Sequence, residues 1–448
     1  MKRLVLCFLF SFTLCSCGGG AGNDEPVTTA PEPRESLAEV LSIDNFPWEP
    51  ELLVGRFADG RVGTDMDLSA LMPFDENTPG VNIYYVSTDG TETNSGLSWD
   101  SPLDSPQRAL RKPNVDVVLV APGIYAQDRP WGWAGLTRDV VIKGFGETAI
   151  VSLHRNNLVW DTDPLLPNVY RSECSGSGAV YDSSRTNELD DFERLPSVGS
   201  PTEVALSPGS WYSNGETIWV RLADDRVPDD AVRVYLDGLN GYFANSSGRM
   251  YVENIEFHGG THSFVMIKTE EGEQKAYFKN CKFKYATSGN GLCVLGTSEV
   301  YLQECEAARN FRDGVSYHAS NGFIPKAFEI DIVSRDNGYS ETDIDNGSTM
   351  HDGGSIIRVG GHYFGNRGPN IADVNASYTW NVGGMAYGSL ASSSLQGCDF
   401  QTDGKAWLYL FESCDSPYGL RCDSDGEMYL RDVQEETARV GGGMFLDF

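Results

Sequence analysis

The feature that most restricts this chain is a short phrase it repeats through its second half. Met250-Tyr-Val-Glu-Asn-Ile-Glu-Phe257 is followed by Ala276-Tyr-Phe-Lys-Asn-Cys-Lys-Phe283, Val300-Tyr-Leu-Gln-Glu-Cys-Glu-Ala307 and Ala327-Phe-Glu-Ile-Asp-Ile-Val-Ser334. Ser393-Ser-Leu-Gln-Gly-Cys-Asp-Phe400 and Met428-Tyr-Leu-Arg-Asp-Val-Gln-Glu435 read as later copies. Each phrase alternates apolar and polar residues as a strand does, and each leads into a polar turn and a further short strand. The first four begin at 250, 276, 300 and 327, a period that suits one coil of a parallel β-helix rather than a helical repeat. One coil cannot bury its inner face alone, so stacked coils must share a continuous core. Cys281 and Cys305 fall at the same place in successive phrases and are expected to stack about 4.8 Å apart.

The front of the body adds a more specific pattern. A strand at Tyr84 runs into Asp89-Gly90, then Gly96-Leu97-Ser98-Trp99, a short helical stretch from Pro106 to about Lys112, and a strand ending Pro122-Gly123-Ile124-Tyr125. Asp139-Val-Val-Ile-Lys-Gly144 fits the next coil. This series resembles the opening of the pectate-lyase-like right-handed parallel β-helix superfamily, in which the helix caps the open end of the core. The resemblance covers the framework from about 80 to 448. It implies an all-β fold and a polysaccharide partner, and leaves the reaction open, because lyases, hydrolases, epimerases and adhesins share the framework. Residues 165–236 interrupt the repeat. Ser210–Arg221 reads as a hairpin turning at Asn214-Gly215, and with Val232–Tyr235 it resembles the small antiparallel insert of β-helix glycosidases.

The N-terminal region reads as an address. Lys2 and Arg3 precede an apolar run from Leu4 to Leu14, too short to span a bilayer. Leu14-Cys15-Ser16-Cys17 resembles a bacterial lipoprotein signal, which implies cleavage after residue 16, a lipid on Cys17, and an anchor in the outer membrane. The Pro-, Thr- and Glu-rich stretch that follows is expected to be a flexible tether. The expected plan is thus signal 1–16, tether and extension 17–78, and β-helix 79–448; Trp48 and Leu52-Leu53 suggest partial docking of the extension. With 34 basic against 64 acidic residues the net charge is −30. A field of that sign repels nucleic acid and anionic membrane, and the chain is read as a monomer. Seven cysteines lie beyond Cys17. Cys414 and Cys422 are close enough in sequence to clip a loop, while Cys281, Cys293 and Cys305 suit buried thiols as well as disulfides.

Polar residues concentrate between 309 and 388. Val315-Ser-Tyr-His318 and Ser348-Thr-Met-His351 each follow a Gly-containing turn and end in histidine. In adjacent coils the two rings would stack on one exposed face, with Asp373 of Ile371-Ala-Asp-Val374 beside them, able to move protons or hold a metal. A surface polar ladder is the plainer reading of the same residues. Arg312, Arg335, Arg358, Arg367 and Lys326 flank them. Guanidinium groups clamp carboxylates or sulfates, which suits an acidic glycan, although neighbouring aspartates offer mutual salt bridges instead. Asp343 and Asp345, near Gly347, are candidate calcium ligands. Trp380, with Trp131, Trp133, Tyr378 and Tyr387, is a candidate surface for stacking on sugar rings; His258, His262 and His362 read as turn residues. The reading that follows is a lyase of a uronate-containing polysaccharide, with His318 or His351 as base or acid and Arg358 and Arg367 on the carboxylate. A glycoside hydrolase using Asp313 with Asp352 or Asp373 comes second, and a non-catalytic glycan-binding adhesin is the alternative from another class.

Overall fold

The computed structural model describes residues 36–126, 131–132, 138–244, 247–339, 344–393 and 396–448. Among them the chain winds into a parallel β-solenoid whose coils each contribute a strand to two or three long sheets. Sheet I has twelve strands, from Ile83–Val86 to Met444–Asp447. Sheet II takes its parallel part from Gly123–Ala126 through Gln434–Glu435, and sheet III runs from Trp131–Gly132 to Tyr418–Cys422.

The repeated phrase is the corner between sheets I and II. Val252, Phe278 and Leu302 lie in one inward column, and Phe257, Phe283 and Ala307 continue it on the other side of the bend. At the bend the residue adopts a left-handed conformation, φ 56° at Asn254, 49° at Asn280, 54° at Glu304 and 49° at Asp331. Asparagine and aspartate tolerate that conformation best after glycine, which explains why four phrases share a polar fifth residue. In the next two coils the corner is Gly360-Gly361 and Gly383-Gly384, so Ser355–Phe364 and Tyr378–Tyr387 repeat the structure without repeating the words. The phrase at 393–400 differs from expectation: Cys398–Thr402 belongs to sheet III, beside Ile371–Asp373 and Tyr418–Cys422.

A second periodic device lies inside the turn between sheets II and III. Asn310 donates to Asn337 (2.9 Å), Asn337 to Asn366 (2.9 Å), Asn366 to Asn370 (3.0 Å), and Asn370 to the Asp399 carboxylate (3.0 Å). All five are buried. Each amide satisfies the next, so the coils keep a polar seam without leaving unpaired groups.

The helix Pro106–Leu110 buries Pro106, Ala109 and Leu110, the latter two against the first coils of the main core. The insert supplies a four-stranded antiparallel sheet built on the hairpin Ser210–Ser213/Thr217–Arg221, with Gly215 at φ 97° in its turn. Strands Val232–Leu236, Ser177–Thr186 and Phe192–Leu195 extend sheet II edgewise in antiparallel fashion. Residues from 36 to the first coil lie against the outer face of sheet I. There Trp48, Leu52, Val54 and Leu68 bury against a column that includes Tyr251, Tyr277, Tyr301 and Phe328, while Leu53 stays exposed. The Glu51 carboxylate accepts from Lys275 (2.5 Å) and Tyr277 (3.2 Å), and the Leu68 N–H donates to Gln303 (2.7 Å).

The seven cysteines in the described residues are unpaired thiols. Cys414 and Cys422 form no clip: Cys422 points into the core while Cys414 is half-buried on sheet II. Cys281 and Cys305 occupy consecutive coils of the core. Cys17 and the signal lie outside the described residues.

Candidate functional site

Sheet III places the histidines. In Val315–His318 the alternation turns Val315 and Tyr317 into the core and Ser316 and His318 outward. Tyr317 pairs with Met350, which sets His318 next to His351. The two imidazoles stack with centroids 4.1 Å apart and planes 15° from parallel. Ser316 Oγ lies 2.8 Å from His318 Nε2, and His351 Nδ1 lies 3.1 Å from the Asn375 side-chain oxygen. Asp352, held at φ 60°, accepts the Ala319 N–H and brings a carboxylate oxygen to 3.8 Å from His318 Nδ1. Asp313 accepts the Asn346 N–H at 2.6 Å and also bonds to Ser316.

The electrostatics of this face follow from partial burial. Burial lowers His318 to a pKa of about 4; His351 and His262 lower it further and Asp352 opposes them. Burial likewise lowers His262 to about 4, with Arg312 adding to the shift. Asp313 is pushed upward by burial against the pull of the Asn346 N–H, His351, Ser316 and Arg312. At neutral pH His318 is therefore uncharged. When the Asp313 carboxylate accepts a hydrogen bond from the Ser316 O–H, the Ser316 oxygen accepts in turn from His318 Nε2–H. That assignment leaves Nδ1 as the unprotonated nitrogen, turned toward Asp352. The order Ser316–His318–Asp352 has the look of a nucleophile relay, but Ser316 is wholly buried and its hydroxyl has no path to a substrate. Its part is to hold the ring. Asp352 and His318, whose side chains are 43% and 34% exposed, are the parts a ligand can reach.

Several residues expected here sit elsewhere. Asp373 pairs with Met350, not with His351, so its side chain points into the core. A shift of one residue reverses the face. Arg358 is also interior, 1% exposed: its guanidinium clamps Asp373 (2.6 and 2.9 Å) and reaches Glu329 (3.0 Å), Ser348 and Thr379. Tyr317, Tyr363 and Ser348 donate to Glu329. The group is a closed polar knot in the solenoid core, and a glycan cannot reach it. Arg335 is buried where the insert docks, bonded to Asp191, Glu306 and Asp336. Arg367 donates to the backbone carbonyls of Gly338 and Ala391. Lys326 is in a strand of sheet I, on its outer face with Phe328. Trp380, 6% exposed, packs under the N-terminal extension against Phe46, with ring centroids 6.3 Å apart, so no sugar can stack on it. Asp345 is buried and Asp343 lies outside the described residues, among which no group of three His, Cys, Asp or Glu converges to hold a metal ion. The side chain of Trp131 and all of Trp133 are likewise outside them.

Of the expected set, the outer face of sheet III brings together His318, His351, Asp352 and Asp313, with exposed Arg312 at its edge. His262 belongs with them through its effect on His318, and its Nδ1 accepts the Asn290 N–H at 2.8 Å. Its position after Gly259-Gly260, at the start of the strand two coils before His318, is a signal the sequence carried. Ser316, two residues before His318 on one strand face, is another.

No family model matches the chain, and no curated protein matches it. Among solved structures it is similar to XylC in complex with xylose, at 9% identity and TM-score 0.46 over 79% of this chain and 70% of that one. Pectate lyase Pel9A aligns at 13% identity and TM-score 0.31 over 74% and 78% of the two chains. The GH136 lacto-N-biosidase from Eubacterium ramulus aligns at 11% and 0.31 over 82% and 68%. The likeness is one of solenoid architecture, and no residue role is transferred from it.

Proposed function

We propose that this chain acts on polysaccharide and that its outer sheet III face cleaves an acidic, uronate-containing glycan by β-elimination. The observation that carries the reading is the parallel stack of His318 on His351, with His318 uncharged and its Nδ1 directed to the exposed Asp352 side. A base that is unprotonated at neutral pH and fixed in one orientation is what abstraction of a proton next to a carboxylate requires. His318 Nδ1 takes the C5 proton of a uronate unit, the C5–H electron pair forms the C4=C5 double bond, and the C4–O bond breaks. The departing oxygen is protonated by solvent at this open face. Arg312 is the cation placed to meet the uronate carboxylate; His351 and Ser316 position the base.

Hydrolysis is favoured by a different observation, the upward-pushed Asp313 across His318 from the exposed Asp352, an acid and a base in unlike environments. One assay separates them. A panel of acidic polysaccharides, with and without calcium, is followed for the ultraviolet absorbance of an unsaturated uronate and for new reducing ends. The lyase gives both signals and loses both in His318→Ala. New reducing ends without the absorbance would select the hydrolase, and glycan binding without either would select an adhesin. The proposal includes export as a lipoprotein anchored through Cys17 to the outer membrane, acting as a monomer. Incorporation of labelled palmitate into the wild type and its loss in Cys17→Ala is the expected result.

A further inference from the structure

The sheet II strand Ala149–Arg155 leaves the solenoid to enter the insert, and a cleft opens where it does so. The cleft has a volume of about 300 Å3 and is lined by Arg155, Asn156, Asn157, Trp160, Asp230 and Arg233 among others. A second hollow, lined by Glu173, Ser175 and Glu216, shares the turn Arg155–Leu158 with it. A volume of about 300 Å3 is at the small end for ligand clefts and suits a sugar-sized unit.

Arg233 is the unusual member. In a chain with 64 acidic and 34 basic residues, arginines find carboxylates easily, as Arg226, Arg335 and Arg358 do. Half-buried Arg233 has no ion pair among the described residues; its one hydrogen-bonding contact is His154 Nε2, at 3.2 Å. His154 is buried with Nδ1 on Ser152 Oγ, 2.7 Å away. Burial lowers its pKa to about 3, with Arg233 and His258 lowering it further, so the ring is neutral. Nε2 must then accept from the guanidinium, while Nδ1–H donates to Ser152. The relay fixes one edge of Arg233 without neutralising it, which is how a preorganised anion-binding guanidinium is held. Arg155, whose Nη2 donates to Ser175 O and Oγ at 3.3 Å each, adds a second cation on the same cleft. Trp160 supplies an apolar ring, and the two asparagine amides supply neutral donors and acceptors.

We propose that this cleft binds an anionic sugar unit, a carboxylated or sulfated monosaccharide of a glycan chain, with Arg233 and Arg155 on the acid group and Trp160 against the sugar ring. It is a binding subsite on the insert, separate from the histidine face, and stands whether or not that face is catalytic. The test is calorimetric titration of the full chain with galacturonate, glucose 6-sulfate, glucose and inorganic phosphate. Saturable binding of an acidic sugar, with glucose at least tenfold weaker, is expected. Arg233→Met and Trp160→Ala should each weaken that binding at least tenfold, with the far-ultraviolet circular dichroism of both variants at the titration temperature as in the wild type, while Lys405→Met on sheet I leaves it undiminished. Equal binding of glucose, phosphate binding as tight as the acidic sugars, undiminished binding in Arg233→Met, or no binding of any acidic sugar would each overturn the assignment. Because the readout is binding of a monosaccharide, loss of the proposed cleavage activity leaves it untouched.

Discussion

Replacing Arg358 by methionine separates the two meanings this residue has had. In the structure the side chain spans a knot of Glu329 and Asp373 in the solenoid core, with two hydrogen bonds to one carboxylate and one to the other. Met fills much of the volume but supplies no charge. Glu329 keeps the hydroxyls of Tyr317, Ser348 and Tyr363, whereas Asp373 keeps only the Met350 N–H, at 3.1 Å. Removing one partner of a buried pair costs about 3–5 kcal/mol, and the stranded Asp373 should carry most of it. A buried carboxylate without its cation disfavours the charged form, so the deficit should be largest at neutral pH and shrink as the pH falls toward the carboxylate range. Arg358→Met/Asp373→Leu should recover about half of the loss or more, since it removes the unpaired charge as well. Urea unfolding followed by far-ultraviolet circular dichroism at neutral and mildly acidic pH reads all three quantities. If Arg358→Met unfolds within about 1 kcal/mol of the wild type yet no longer binds polysaccharide, the interior placement is wrong and the arginine faces a ligand.

The Asn ladder gives a second stability test: Asn337→Leu strips the buried Asn310 backbone N–H of its acceptor and takes one partner each from the Asn310 and Asn366 side-chain amides, and should cost about 2–4 kcal/mol by the same unfolding assay. His154 titrates far below its usual 6.5, at about 3, because it is buried beside Arg233. A depressed histidine stabilises the fold above the unfolded pKa and loses that contribution as pH falls toward the folded one. The wild type should therefore lose about 4–5 kcal/mol between pH about 6.5 and 3 from this residue, and His154→Gln should show a shallower slope in stability against pH. Thiol titration of the native protein with an aromatic disulfide should find Cys414 alone reactive, the other six described thiols being buried. Fast reaction of Cys281 or Cys305 would contradict their place in the core.

His318 and His351 were legible because two strands share a glycine turn before and a histidine after, so the words themselves carried the register. Asp373 was not, since Ile371-Ala-Asp-Val374 has no matching histidine, and an error of one position sends a side chain to the opposite face. Arg358 was read as a surface cation because charge in a strand ordinarily means solvent. The core here pairs it with Glu329 and Asp373 from neighbouring coils, a compensation invisible until the coils are stacked. Trp380 was misplaced for a related reason. It is on an outer face, but the segment before the first coil covers that face with Phe46.

By itself, then, the sequence determined the period, the alternation and the polar corner residues, and through them the parallel solenoid with its capping helix and antiparallel insert. These are local properties, repeated often enough that a misread copy such as residues 393–400 does not alter the sum. Tertiary structure alone decided which outer faces stay open, which charges lie inside, and that Arg233 meets His154 across 79 residues. Such contacts depend on coil-to-coil register and on what the insert and N-terminal segment cover, and both are set by packing between stretches distant in the chain.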